Sequence, residues 1–209
     1  MSRRRLLGAI AASVVVIAAV VVIIALSVIP LPEFATLPAG ELDGSMSFVD
    51  EGNCVQIANL EAGSVTELSC EPDQGSIDQL AWTESGVEMT TYFNQQITKV
   101  LDPETGEVLE TRTGDEATDP FEAERPADEL FVNRPDEGVI VIYDEDDNEL
   151  LRLEAPERYW IDTAVQSADG RLVGFADSTG RLAVFEPSGV GPFLVADNAR
   201  SWPPPAWKP

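Results

Sequence analysis

Apolar positions along this chain fall into two patterns. From Leu6 to Ile29 they are continuous, a run of 24 residues without a charge, LLGAIAASVVVIAAVVVIIALSVI. Wound into a helix, the run is about 36 Å long, more than the roughly 30 Å hydrocarbon core of a bilayer. A helix also satisfies its own backbone polar groups in lipid. Arg3, Arg4 and Arg5 immediately precede it. The positive-inside bias therefore puts residues 1–5 in the cytoplasm and the chain beyond residue 30 outside. A cleaved signal peptide is the rival reading, but its apolar region runs only about 7–15 residues before a small-residue site. Ala25-Leu26-Ser27 is a poor version of that site. The expectation is one uncleaved transmembrane α-helix over residues 6–29.

Past residue 29 the pattern changes. Pro30, Pro32, Pro38 and Gly40 mark residues 30–40 as a short, stiff stalk. From residue 41 onward, short runs of Val, Ile, Leu, Phe and Tyr are broken by turn residues about every 8–12 positions, a strand signature. The runs repeat. Val100-Leu101-Asp102-Pro103-Glu104-Thr105-Gly106 is echoed 42 residues later by Ile142-Tyr143-Asp144-Glu145-Asp146-Asp147-Asn148, and 42 later again by Val184-Phe185-Glu186-Pro187-Ser188-Gly189. Moving back 43 gives Ile57-Ala58-Asn59-Leu60-Glu61-Ala62-Gly63. Each copy offers a residue tolerant of left-handed backbone, with Gly63, Gly106 and Asn148 as the expected positions. Ile77-Asp78-Gln79-Leu80-Ala81-Trp82 recurs 84 residues on as Ile161-Asp162-Thr163-Ala164-Val165-Gln166. The third repeat lacks a good copy of this leading strand, since residues 119–126 are acidic and broken by proline. Ala206-Trp207 echoes Ala81-Trp82, so the tail is expected to supply the leading strand of the first repeat. Each repeat thus reads as up to four antiparallel strands that need stacked neighbours to cover their faces.

The units LAWTESGVEMTTYFNQQITKVLDPETGEVLETR and AVQSADGRLVGFADSTGRLAVFEPSG resemble β-propeller blades of the broad WD40, YVTN and pyrroloquinoline-quinone-type repeat group. The resemblance spans about residues 41–207. It implies an all-β domain over residues 41–209, a small propeller-like array of about four 42-residue blades. The Gly-His and Trp-Asp signatures of WD40 repeats are absent, and Glu110 follows Leu109 where the quinone-type repeat has Leu-Trp. Only the architecture carries over, with no cofactor and no site residue. If the array stays open, its exposed edges favour a homo-oligomer.

Composition narrows the function. The chain has 13 Lys+Arg, 37 Asp+Glu and no His, for a net charge of -24. Without His there is no Ser-His-Asp triad and no imidazole base or ligand. Such acidity repels phosphate backbones, which excludes nucleic acid as a partner. Three of the basic residues lie in the cytoplasmic tip, so the exterior part carries -27. Lys is scarce beside Arg, as in a GC-rich bacterial genome. The expected location is a bacterial cell membrane, with the C-terminal domain extracytoplasmic.

Few residues suggest chemistry. Cys54 and Cys70 flank the first predicted hairpin. With Gly63 in a three-residue loop, Leu60 opposes Ser64 and the two cysteines face each other across the strands. That spacing suits a disulfide, and an exterior location favours one. Asp144, Asp146 and Asn148 alternate like the start of a calcium loop, but Glu149 and Ala155 occupy the positions needing Gly and Glu. An ordinary solvated turn is expected there, so no metal ligand is assigned. Nothing selects a catalytic carboxylate pair among so many, and no catalytic residue is assigned. Ser201-Trp202-Pro203-Pro204-Pro205-Ala206-Trp207 is either a closing strand or a polyproline docking segment. The resulting expectation is a membrane-anchored, non-catalytic binding or scaffold protein of the cell envelope, with a protein partner. An envelope enzyme, a carbohydrate-binding protein and a subunit of a larger membrane complex are the alternatives.

Overall fold

The computed structural model describes residues 30–38, 40–71, 75–92, 95–114 and 129–209. The expected tip and transmembrane helix, residues 1–29, lie outside the described residues, as does the acidic segment 115–128. Among the described residues there is no α-helix, and no helix is long and apolar enough to cross a membrane. The fold is all-β, as the period-2 runs require.

A short strand, β1 (Ala35–Thr36), precedes four groups. The first contains β2 (Ser45–Val49), β3 (Cys54–Asn59) and β4 (Ser64–Cys70). The second contains β5 (Ser76–Thr83), β6 (Gly86–Tyr92), β7 (Gln96–Leu101) and β8 (Val108–Gly114). The third has β9 (Glu129–Asn133), β10 (Val139–Tyr143) and β11 (Glu149–Glu154). The fourth has β12 (Ile161–Gln166), β13 (Val173–Asp177), β14 (Leu182–Glu186) and β15 (Val190–Ala196), and β16 (Ala206–Trp207) closes the chain. Within each group, sequential strands pair antiparallel. The third and fourth groups join into one eight-stranded sheet because β9 pairs with β12, Leu130 opposite Ala164. The tail completes the first group: Ala206 opposes Ser47, Trp207 opposes Met46, and the Trp207 indole donates to Val165 O at 3.0 Å.

Three cores lie between these groups, each made by the inward positions of alternating strands. Met46, Phe48, Leu182, Val184 and Trp207 fill the layer between groups one and four. Ile140, Ile142, Phe175 and Phe185 fill that between three and four. Val49, Val55, Ile77, Val87 and Met89 fill that between one and two. The groups therefore pack in the order two, one, four, three. Close approach needs Gly174, where a Cβ would fall 2.5 Å from Met46 Cε.

Three details differ from the sequence reading. The first hairpin has a four-residue loop, with Asn59 opposite Ser64, and a bulge at Leu68 restores the register so that Cys54 still meets Cys70. Left-handed backbone in the third repeat falls on Asp147 (φ 60°) and not on Asn148. The loop there is one residue shorter, since Asp144 N–H donates to Asn148 O, whereas Asp102 N–H donates to Glu107 O. Residues 30–38 are not a free stalk. Pro32 is buried, and β1 runs parallel to β15, with Ala35 opposite Phe193.

Candidate binding surface and the clamped end

The antiparallel groups give the domain two ends. Five-residue strands such as β13 and β14 separate them by about 17 Å. At one end lie the β13–β14 turn, the 50–53 turn and segment 197–200, joined by Glu51 N–H to Asn198 O and Ala199 N–H to Gly180 O. At the other lie the 40–44 loop, the β12–β13 and β14–β15 turns, and the last residues of the tail, where Lys208 N–H donates to Ser45 O.

The first end is a clamp. Asp177 ends β13, and its fully buried carboxylate accepts from Thr179 N–H, Thr179 Oγ1 and Arg181 Nε. This fixes the Arg181 guanidinium, whose Nη2 lies 2.7 Å from Asp177 Oδ2. The guanidinium then reaches the N-terminal segment. Its Nη1 donates to Pro32 O at 2.8 Å, and its carbon sits 4.2 Å from the centre of the Phe34 ring, a favourable cation–aromatic geometry. Phe34 meets Phe175 edge-on at 5.7 Å, which continues the contact into the core. Tyr159 closes the cluster from the side, and burial pushes its phenol pKa up. Its carbonyl accepts from Arg134.

A second polar knot at the same end stitches the first group to the second. Asn53 adopts φ 63°, which Asn tolerates. Its amide nitrogen donates to Glu71 O and Gly75 O, both at 2.8 Å. Its amide oxygen accepts from Ile77 N–H at 3.0 Å and Arg200 Nη1 at 2.9 Å. Arg200 also donates to Ser76 Oγ. The Cys54–Cys70 disulfide lies beside this knot, with Cα atoms 4.0 Å apart. Glu67 approaches both sulfurs, but the disulfide consumes the thiolates a metal would need.

The opposite end is a set of acidic turns. Many of their carboxylates close the turn that carries them. Asp102 accepts from the N–H groups of Glu104 and Thr105. Asp144 accepts from Asp146 N–H, Asn148 N–H and the Asn148 amide. Asp169 accepts from Ser167 Oγ, Arg171 N–H and Arg171 Nε. These donors lower all three carboxyl pKa values. The Thr105 N–H is the main cause for Asp102 and the Asn148 amide for Asp144. Arg171 is the main cause for Asp169, which falls to about 2. Arg171 also bridges to Asp43 at 2.8 Å. It separates two shallow depressions, one of about 290 Å³ against Glu41, Leu42, Glu186 and Pro187, the other of about 230 Å³ against Ser45, Trp207 and Lys208. Glu61, Glu84, Glu104 and Glu145 are exposed in turns on the same end.

The calcium-like turn therefore sits at the free end, with its first carboxylate already accepting three hydrogen bonds. Tyr159 is buried and Trp160 exposed at the clamped end. The tail acts as a strand. Arg181, Asn53 and Arg200 escaped the sequence reading because each works through partners distant in the chain, and Asp177 matters because it fixes Arg181. No protein-family model matches the chain, and no curated protein is significantly similar to it.

Proposed function

We propose that this is a membrane-anchored, extracytoplasmic binding or scaffold protein of the cell envelope, non-catalytic, built on a small propeller-like array. The four strand groups, repeating every 42 or so residues with the tail strand completing the first, support the propeller-like reading. The uncharged run 6–29 after three arginines supports the anchor. The observation that carries the functional reading is the polarity of the domain. One end holds the incoming chain, and the other presents acidic turns, with two depressions among the 40–44 loop, the β12–β13 and β14–β15 turns and the tail. The turn carboxylates Asp102, Asp144 and Asp169 are occupied by turn-closing hydrogen bonds, which favours recognition over acid–base chemistry. Exposed Glu61, Glu104 and Glu145 leave a negative field that suits a protein segment bearing cationic side chains.

Proximity labelling from the exterior domain in intact cells tests this. The expected result is a reproducible set of envelope proteins, lost when Glu61, Glu104 and Glu145 are changed together to Gln. Labelling that is unaffected by that triple change, or that yields no reproducible neighbour, overturns the reading.

A further inference from the structure

The clamp changes how far the domain can stand from a bilayer. An eleven-residue stalk, fully extended, would place it up to about 40 Å away. Arg181 instead seizes the chain at Pro32, and β1 holds it again at Ala35. Only three steps of chain separate Ile29, the last residue of the apolar run, from Pro32. Fully extended, they reach about 10 Å. The end carrying Arg181 must therefore lie against the membrane surface whenever residues 6–29 span it.

The side chains on that end suit such a place. Two of the four tryptophans are exposed, Trp160 at 51% and Trp202 at 39%. Both belong to the clamped end. Trp160 exchanges hydrogen bonds with Ser178 in the β13–β14 turn, and Trp202 lies two residues past Arg200 in the Asn53 knot. Leu31, 48% exposed, adjoins the clamped Pro32. The other two tryptophans, Trp82 and Trp207, are half-buried and buried. Tryptophan concentrates at membrane–water interfaces because its apolar ring and N–H match the headgroup layer. Carboxylates are exposed at this end too, among them Glu33, Glu51, Asp136, Glu137, Glu157 and Asp197. They oppose entry into hydrocarbon and so limit the contact to the headgroup layer.

We infer that the clamped end is a membrane-apposed face, with Trp160, Trp202 and Leu31 seated in the outer headgroup layer, so that the acidic turns point away from the bilayer. This rests on the anchored reading above, and the occupant is the lipid surface itself. It fixes orientation: a partner approaches from the distal side, and the clamped end is closed to soluble proteins.

The test uses the full chain in phosphatidylcholine vesicles carrying a nitroxide either near the headgroup or deep in the acyl chain. Flotation reports the anchor, and tryptophan quenching reports apposition. The shallow label is expected to quench the full chain more than the deep one. A Trp160→Phe, Trp202→Phe variant is expected to lose about half of that quenching or more, since the exposed pair supplies it. A flexible ten-residue insertion between Ile29 and Pro30, which leaves the clamp intact, is expected to reduce it similarly. Flotation without shallow quenching overturns the inference and leaves the anchor standing. Quenching that survives the insertion undiminished overturns the short-tether argument. Failure to float overturns the anchor, and the inference with it.

Discussion

At the scale of single residues, the fold depends on a few positions where backbone and side chain are both committed. Asn53 uses both amide hydrogens and accepts two hydrogen bonds while holding φ 63°. Replacing it with Ala leaves the Gly75 carbonyl and the Arg200 guanidinium without this partner and puts a worse residue in left-handed backbone. Unsatisfied buried groups cost about 1–3 kcal/mol each, so Asn53→Ala is expected to destabilise by about 2–4 kcal/mol. Denaturant unfolding of the β domain measures this; a loss well under 1 kcal/mol would show that the knot is dispensable. Gly106 is a second such position. It has φ 73°, and a Cβ there would lie 2.1 Å from the Leu68 carbonyl oxygen. The β7–β8 turn thus rests directly on the bulge of β4. Gly106→Ala combines left-handed strain with a backbone clash and is expected to cost about 2–4 kcal/mol. Gly63→Ala is the control, because it has the same backbone sign and open space around it. It should cost only about 1–2 kcal/mol. Equal losses at both sites would remove the packing argument.

At the scale of elements, β16 matters most for its size. It has two residues, yet Trp207 pairs with Met46, fills the layer between groups one and four, and reaches Val165 O. Trp207→Ala is expected to cost about 3–5 kcal/mol. Removing residues 201–209 should expose the β2 edge and promote self-association, which sedimentation would detect; a monomeric truncation as stable as the full domain would refute this role. Much of this level was legible in the chain. Turn spacing is written locally in Asp, Gly and Pro, and the Ala81-Trp82 echo pointed to the tail. The Cys54–Cys70 pairing was legible too, although its register depends on a bulge at Leu68 that only packing against the second group explains. The parallel pairing of β1 with β15 and the Arg181 clamp were not legible. They join positions about 150 residues apart, and no local pattern announces an arginine that binds a distant carbonyl. The candidate site was legible only as acidity, because its geometry arises from turns of separate groups meeting at one end.

At the scale of the whole molecule, two electrostatic effects of opposite sign compete as pH falls. The net charge of -24 makes the exposed carboxylates of the chain repel one another, and reducing that net charge relieves the repulsion. The turn-closing carboxylates behave otherwise. Asp102, Asp144 and Asp169 have folded pKa values below their ordinary ones. A group depressed on folding contributes fully above its unfolded pKa, near 4, and loses that contribution as pH falls through the folded value. For Asp169 that window closes at about 2. The melting temperature is therefore expected to hold or rise from neutral pH to about 5 and to fall below about 4. Added salt at neutral pH should raise it by screening the repulsion, and should do less near pH 4, where fewer charges remain. Asp144→Asn keeps an acceptor but no charge, and together with Asp169→Asn it should flatten the acid arm while leaving the salt response at neutral pH. Thermal melts across pH, with and without salt, read all of these arms. A melting temperature that falls steadily from neutral pH would overturn this balance of the two effects. A salt response unchanged from neutral pH to pH 4 would mean that the acidic end is not a field a cationic partner could sense.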